Sequence, residues 1–200
     1  MTRASKTSPR LTQAERRQQS EQGLLVAAAE VVLEFGYTGA TFDRISERAG
    51  YSRGLVTLRF GSKDGLVAAM IEFLGAQLED LYRQRLETAR TGREKLRDFV
   101  DVFMARLDED HLTRAYFVLL AGALGNLLPQ ARYFLGQHEK VKQLLAELIR
   151  EGMADGTIAA TSDPETAALA IGCFQLGAAI QHQLDPDMPL EAMRAFVRNL

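Results

Sequence analysis

The sequence has little that would support a disulfide-stabilised or exported protein. Its 200 residues include one cysteine, Cys173, and no tryptophan. A single cysteine excludes an internal disulfide, and we therefore expect a reducing, cytoplasmic environment. No apolar run follows Met1. An ordinary secretory signal is therefore not expected.

The residue patterns of an enzyme or a metal site are also absent. The three histidines, His111, His138 and His182, stand apart from one another without metal-ligand spacing. Neither a glycine-rich phosphate loop nor a nucleophile elbow occurs, and Cys173 has no basic neighbour in sequence. We expect no catalysis, no cofactor and no bound metal.

One stretch without charge has to be weighed as a membrane span. The 19 residues from Thr166 to Leu184 carry no formal charge. They do include Gln175, Gln181 and His182, which would be costly in lipid, and many Ala and Gly residues that suit close helix packing. We interpret the stretch as a helix of a soluble protein and expect no membrane partner.

The chain has only a small excess of negative charge, but its positive and negative residues are unevenly distributed. The formal net charge is −2. Residues 1–63 hold ten Lys or Arg against six Asp or Glu, whereas the remainder holds fourteen against twenty. The N-terminal part is therefore the part suited to a polyanion such as DNA, with an acidic body behind it.

Apolar residues recur at three- and four-residue steps along most of the chain, and no segment alternates with period two. The sequence predicts an all-α fold of about nine helices. Glycines, prolines and capping residues place them at about 13–35, 41–50, 52–60, 63–89, 96–107, 112–124, 129–152, 164–183 and 190–198. Residues 1–14 lack this period and carry Arg3, Lys6 and Arg10; they are either a solvated tail or a basic arm that reaches a minor groove.

Two short predicted helices separated by a glycine turn lie in the basic part. Thr41 is an N-cap residue for the first, Gly50 stops it, and Ser52 caps the second. This pattern predicts a helix-turn-helix, with a plain helical corner as the alternative. The non-core positions of the second helix are Arg53, Gly54, Thr57 and Arg59, which suit close approach to phosphates and base edges.

Several spaced motifs carry a resemblance to a known family. The segments are 24–37, Ala40-Thr41, 49–54 (Ala-Gly-Tyr-Ser-Arg-Gly) and 60–63 (Phe-Gly-Ser-Lys). Together they closely resemble the DNA-binding domain of TetR-family transcriptional regulators. The resemblance implies an N-terminal three-helix helix-turn-helix domain over residues 15–62, preceded by the arm at 1–14. A C-terminal helical domain for effector binding and dimerisation would then occupy residues 63–200.

The expected DNA contacts follow from the motif positions. The alternative for Arg44 is that it pairs with Glu47 or its neighbours on a solvated helix face and does not contact DNA. Many relatives have an aromatic residue where this chain has Thr57 and a His or Tyr where it has Arg59, so their operator preference does not transfer. The predicted DNA-binding residues are Thr41, Arg44, Ser52, Arg53, Gly54, Thr57, Arg59 and Lys63.

Dimerisation is expected because one such module buries too little surface to bind a genomic site tightly. The resemblance implies that the eighth and ninth helices form a four-helix bundle with those of a second copy; the alternative is that the eighth is an ordinary internal helix. The predicted interface residues are Ala168, Gly172, Gln175, Ala179, Met193 and Phe196.

An effector pocket is implied by the resemblance rather than by spacing, because an aromatic stripe at helical spacing is more often core. The candidate pocket residues are Phe99, Phe103, Met104, Tyr116, Phe117, Asn126, Tyr133, Phe134, Phe174 and Gln175. The sequence thus predicts a homodimeric regulator, most often a repressor, that a small apolar or amphipathic effector releases from a palindromic DNA operator. The alternative is a helical dimeric ligand-binding or scaffold protein that has lost specific DNA binding.

Overall fold

The structure, a computed structural model, describes residues 12–86, 90–126, 129–160 and 163–198. These residues form nine α-helices and no strand, which confirms the all-α prediction. The arm lies largely outside the described residues. The helices are α1 (Gln13–Gly39), α2 (Phe42–Ala49), α3 (Arg53–Phe60), α4 (Lys63–Leu86), α5 (Gly92–Glu109), α6 (His111–Gly125), α7 (Ala131–Ala154), α8 (Pro164–Leu184) and α9 (Leu190–Arg198).

Side-chain caps set the bounds of the short helices α2 and α3. The Thr41 hydroxyl accepts from the Arg44 amide at 3.4 Å, and that of Ser52 accepts from the Leu55 amide at 3.2 Å. Gly50, at φ 70°, takes the left-handed conformation that ends α2. Each cap satisfies a backbone N–H that the helix leaves without a partner, so the predicted helix-turn-helix is confirmed at its boundaries.

Two helix ends differ from the sequence prediction. Gly36, at φ 68°, interrupts α1 as predicted, but one further helical turn continues beyond it to Gly39. Helix α7 begins at Ala131 rather than at Pro129, which lies in the preceding turn. The carbonyl of Pro129 accepts from the Arg132 amide there. In both places turn hydrogen bonds, which periodicity does not show, decide the boundary.

A continuous core joins the helix-turn-helix to the remaining helices. Leu24, Ile45 and Val56 bury the backs of α1, α2 and α3, and the same cluster extends through Met70 and Met104 into α4 and α5. A second cluster lies at the far end, where Tyr82 stacks on Phe99 at 3.8 Å between ring centroids. The DNA-facing end is therefore packed onto the body and is not held by a linker alone.

No helix among the described residues is long and apolar enough to cross a membrane. The uncharged stretch at 166–184 is α8, which packs along α7 and also contacts α5 and α6. A half-buried ion pair ties the last helix to this body, because the Arg194 guanidinium donates to the Asp101 carboxylate through Nε and Nη2, each at 3.1 Å. Helix α9 is therefore held against α5, whereas α8 packs mainly on α7.

Candidate nucleic-acid interface and effector cavity

The exposed side of α3 carries the residues expected to meet DNA. Arg53 is well exposed and lies 3.1 Å from Asp43 of α2, a surface ion pair that contributes little stability. Gly54 is exposed, and a Cβ atom placed there would meet only the Ser52 hydroxyl, at 3.9 Å. No contact within the chain therefore requires a glycine at this position. A glycine would, however, let the backbone of α3 approach another surface closely.

The next turn of α3 presents apolar groups. The Thr57 hydroxyl donates to the Arg53 carbonyl at 3.2 Å, an interaction within the helix. Leu58 beside it is 78% exposed, more than any other large apolar side chain that the structure describes. The sequence prediction did not include Leu58 among the contacts. The sequence could have indicated this contact, because a leucine on the polar side of the recognition helix cannot pack into the core.

Arg59 points differently from the other predicted contacts on α3. Its side chain turns back toward the first turns of α1, where Nη2 donates to the Ser20 hydroxyl at 3.4 Å. It is half-buried, and its Nε is buried without a partner. Arg59 therefore lies at the α1 side of the helix-turn-helix and not beside Arg53.

Two predicted backbone clamps make internal contacts. Arg44 donates to the Gly39 carbonyl at 2.8 Å and lies over the Phe35 ring, rather than pairing with Glu47. Lys63 donates through Nζ to the Tyr37 carbonyl at 2.7 Å, and burial lowers the pKa of its ammonium. Both cations hold the link between α1 and α2, so a role on DNA would use only the donors that remain.

A cavity of about 700 Å³ opens among α4, α5, α6, α7 and α8. Phe103, Tyr116 and Phe117 form apolar walls, and Gln175 lines it with its amide nitrogen buried and unpartnered. Burial raises the pKa of the Tyr116 hydroxyl and lowers that of His138, which keeps both groups uncharged at neutral pH. The cavity is thus an apolar space with a few neutral polar groups.

Charged side chains around this cavity balance in sign. Three cationic and three anionic residues line it, so the cavity has no net formal charge. Arg106 is the most deeply placed, and it is bonded to Asp110 and, through Nε at 3.0 Å, to the Thr113 hydroxyl. The cation set deepest in the cavity wall is therefore already paired with a carboxylate. The six residues are Glu79, Arg106, Glu139, Lys140, Lys142 and Glu147.

Only part of the predicted pocket set lines the cavity. Phe103, Tyr116, Phe117 and Gln175 do so. The remaining aromatic and polar candidates lie elsewhere for different reasons, and the prediction is corrected for them. Phe99, Met104 and Phe134 are core residues, Asn126 is exposed at the end of α6, Tyr133 is half-buried beside Arg132, and Phe174 is 42% exposed on α8.

The predicted interface residues on α8 also need correction. Ala168, Gln175 and Ala179 are buried within the chain, and Gly172 lines the cavity. Met193 packs partly against the core, whereas Phe196 is 65% exposed. The outer side of α8 is formed instead by residues at steps of three and four. They are Thr166, Leu169, Ala170, Cys173, Phe174, Gly177, Gln181 and Leu184, of which Leu169 and Cys173 also reach the cavity.

The outer side of α8 exposes large apolar side chains. Leu169 is 56% and Leu184 76% exposed on α8, and Phe196 of α9 is also exposed. The glycine and alanine residues between them leave room for a second helix to approach. Among the described residues, no three His, Cys, Asp or Glu side chains are grouped so that they could hold a metal ion.

Family models match both the N-terminal and the C-terminal part of the chain. Residues 24–70 match the family model described as bacterial regulatory proteins, tetR family. Residues 92–200, more than half of the chain, match the C-terminal domain of BetI-type transcriptional repressors. The chain belongs to the TetR family of transcriptional regulators.

The relatives of this TetR-family chain include a transcriptional activator. It is 37% identical over 101 residues to the transcriptional activator FasR of Mycolicibacterium smegmatis, covering 50% of this chain and 44% of that protein. It is 28% identical over 128 residues to the regulator BetI of Escherichia coli, covering 64% and 65%. The chain thus matches less than two thirds of the length of either relative.

Solved structures share the fold of this TetR-family chain at low sequence identity. The fatty acid degradation regulator FadR of Bacillus halodurans superposes with a TM-score of 0.79 at 22% identity, covering 90% of this chain and 93% of that one. FadR of Bacillus subtilis, solved in complex with stearoyl-CoA, gives 0.76 at 21% identity and covers 88% and 94%. These matches establish the architecture, including the C-terminal helices that the sequence motifs do not reach.

Proposed function

We propose that this TetR-family chain binds a palindromic DNA operator as a homodimer in the cytoplasm and that a small amphipathic effector releases it. The exposed side of α3 carries the DNA part of this proposal, because it combines a cation, a glycine and an apolar side chain on one short capped helix. Arg53 would meet phosphate or a guanine edge, and Gly54 would let the helix approach the groove floor.

Leu58 would read thymine within the same groove. The thymine C5-methyl group is the apolar group that a base pair displays in the major groove, and an exposed leucine is stabilised by covering it. The Thr57 methyl group would extend this apolar contact, since its hydroxyl is already bonded within α3. The operator is therefore expected to hold at least one thymine in each half-site.

Selection from random duplexes tests the DNA function. We expect an enriched palindrome that the protein binds about 10³-fold or more tightly than random duplex. Arg53→Ala should weaken binding by about 10-fold, as expected when one good hydrogen-bonded pair worth about 1–3 kcal/mol is removed. Arg83→Ala serves as the matched control, because Arg83 pairs with Glu79 and Asp80 on α4.

Replacement of the enriched thymines by uracil removes only their methyl groups. Binding by the wild type should weaken, and Leu58→Ala should abolish that sensitivity. Failure to enrich any palindrome would favour the alternative function, a dimeric ligand-binding protein without specific DNA binding.

The cavity supports an effector with an apolar body and an uncharged polar group. Its aromatic walls would bury the body, and the Gln175 amide would receive the polar group. A charged group placed deep inside would find Arg106 already bonded to Asp110, whereas Lys140 and Glu147 are exposed. We therefore expect any charged portion of the effector to remain at the mouth.

Long-chain acyl compounds are suitable first probes of the cavity, and FadR of Bacillus subtilis was solved with stearoyl-CoA. We expect saturating stearoyl-CoA to raise the melting temperature and to lower operator affinity by about 5- to 150-fold. Coenzyme A alone, which lacks the apolar body, should do neither. If stearoyl-CoA, decanoate and decan-1-ol all leave melting temperature and affinity unchanged, an amphipathic effector in this cavity is refuted.

A further inference from the structure

A second cleft lies at the DNA-facing end, between the first turns of α1 and the end of α3. Its volume is about 670 Å³, and Gln13, Ala14, Arg16, Arg17 and Arg59 line it. Three of these five residues are arginines and none is acidic. The cleft is separate from the exposed side of α3 that carries Arg53 and Leu58.

The positive charge in this cleft is not neutralised from within the described chain. None of its three arginines forms an ion pair with a carboxylate among the described residues. Arg16 donates to the Thr12 carbonyl, through Nε at 3.4 Å. The nearby carboxylate of Glu15 is turned away into the helix cap, where it accepts from the Thr12 amide at 2.6 Å.

Arg59 links the cleft to the recognition helix. It belongs to α3, yet its side chain reaches α1 and bonds to Ser20, and its Nε is buried without a partner. Guanidinium groups match phosphate oxygens with paired N–H donors, and gathering three of them without a counter-ion is unfavourable until an anion binds. The positive end of the α1 dipole adds to the same field.

We propose that this cleft, with Arg16, Arg17 and Arg59, binds a phosphate of the DNA backbone beside the base pairs that α3 reads. This inference depends on the proposed DNA function. Because a phosphate is the same at every position of a duplex, the cleft adds affinity without sequence preference, and α1 acts as a sequence-independent clamp.

Salt titration of the full-length double variant Arg16→Gln, Arg17→Gln tests the clamp. Binding at 0.15 M salt should weaken about 10-fold, both on the selected palindrome and on random duplex. The slope of log affinity against log salt should fall by about 0.9 for each phosphate that the variant no longer neutralises, or about twice that for a dimer. The ratio of specific to random affinity should stay unchanged.

The control is Arg83→Gln, Arg114→Gln, which changes net charge equally but removes arginines of α4 and α6. If both double variants show the same slope and affinity, the cleft does not bind backbone phosphate. Weakening confined to the palindrome would also overturn the proposal, since it would mean base reading. Absence of any selective binding by the wild type would instead reject the DNA function itself.

A further arm distinguishes DNA phosphate from a free anion. Inorganic phosphate and sodium chloride are compared at equal ionic strength, with melting temperature as the readout. We expect the two to act alike on the wild type, because one free phosphate lacks the multiple contacts of a duplex. Stabilisation by millimolar inorganic phosphate that Arg16→Gln, Arg17→Gln abolishes would assign the cleft to a free anion instead.

Discussion

The double substitution Leu169→Asp, Phe174→Asp is expected to convert the protein to a monomer and to weaken operator binding by about 10²- to 10⁴-fold. Both side chains lie on the outer face of α8, where they are 56% and 42% exposed in the single chain. A carboxylate buried there without a partner costs about 3–5 kcal/mol at each site. The weaker binding follows because a dimer binds its second half-site at a high effective concentration, which a monomer lacks.

Sedimentation velocity measures the mass, and fluorescence anisotropy on the selected palindrome measures the affinity. The control, Leu124→Asp, Leu135→Asp, changes two leucines that are 53% and 69% exposed on α6 and α7. It should remain dimeric, because those leucines lie off the face of α8 and α9. A dimeric Leu169→Asp, Phe174→Asp variant with unaltered affinity would show that dimerisation uses another surface.

The outer face of α8 also shows where sequence reasoning stops. Ala168 and Ala170 are identical residues two positions apart, yet the first is fully buried and the second exposed. A helix whose side chains are mostly small and uncharged has no polar face, so its sequence does not show which side faces the core. The packing of α8 against α5, α6 and α7 decides which side is buried. This is why half of the predicted interface residues face inward.

The helix-turn-helix could be predicted in detail because its signals are local. Thr41, Gly50 and Ser52 act on backbone groups within a few residues of themselves, and these interactions need no knowledge of the rest of the fold. By contrast, Lys63 and Arg59 contact residues 26 and 39 positions away. Long side chains can reach several neighbours, and only the packed structure selects one.

Gly122 of α6 lies at a contact between the cavity helix and the helix-turn-helix. A Cβ atom at this position would be 2.6 Å from the Cβ of Tyr37, well inside van der Waals contact. Tyr37 is in the last turn of α1, just after the interruption at Gly36, and its carbonyl accepts from Lys63 at the start of α4. Tyr116 and Phe117, about one and a half turns earlier on α6, line the cavity. An effector that displaces α6 would therefore press directly on the base of the DNA-binding helices.

Gly122→Ala is expected to move α6 away from α1 in the absence of any effector. Overpacking of this kind costs about 1–3 kcal/mol of stability. Operator affinity should fall about 10-fold without effector, and the further decrease caused by stearoyl-CoA should shrink correspondingly, because the variant already occupies the displaced arrangement. Thermal unfolding and anisotropy with and without stearoyl-CoA measure both effects.

Gly125→Ala is the matched control for this substitution. It lies three residues further along the same helix, and a Cβ atom there would meet nothing within 4 Å. Alanine favours the helix in both variants, although less at Gly125 because it ends α6, and only Gly122→Ala changes the distance to Tyr37. Equal stability, affinity and effector response in the two variants would exclude the α1–α6 contact from the release mechanism. The movement of α4 at Lys63 would then be the remaining connection between cavity and operator.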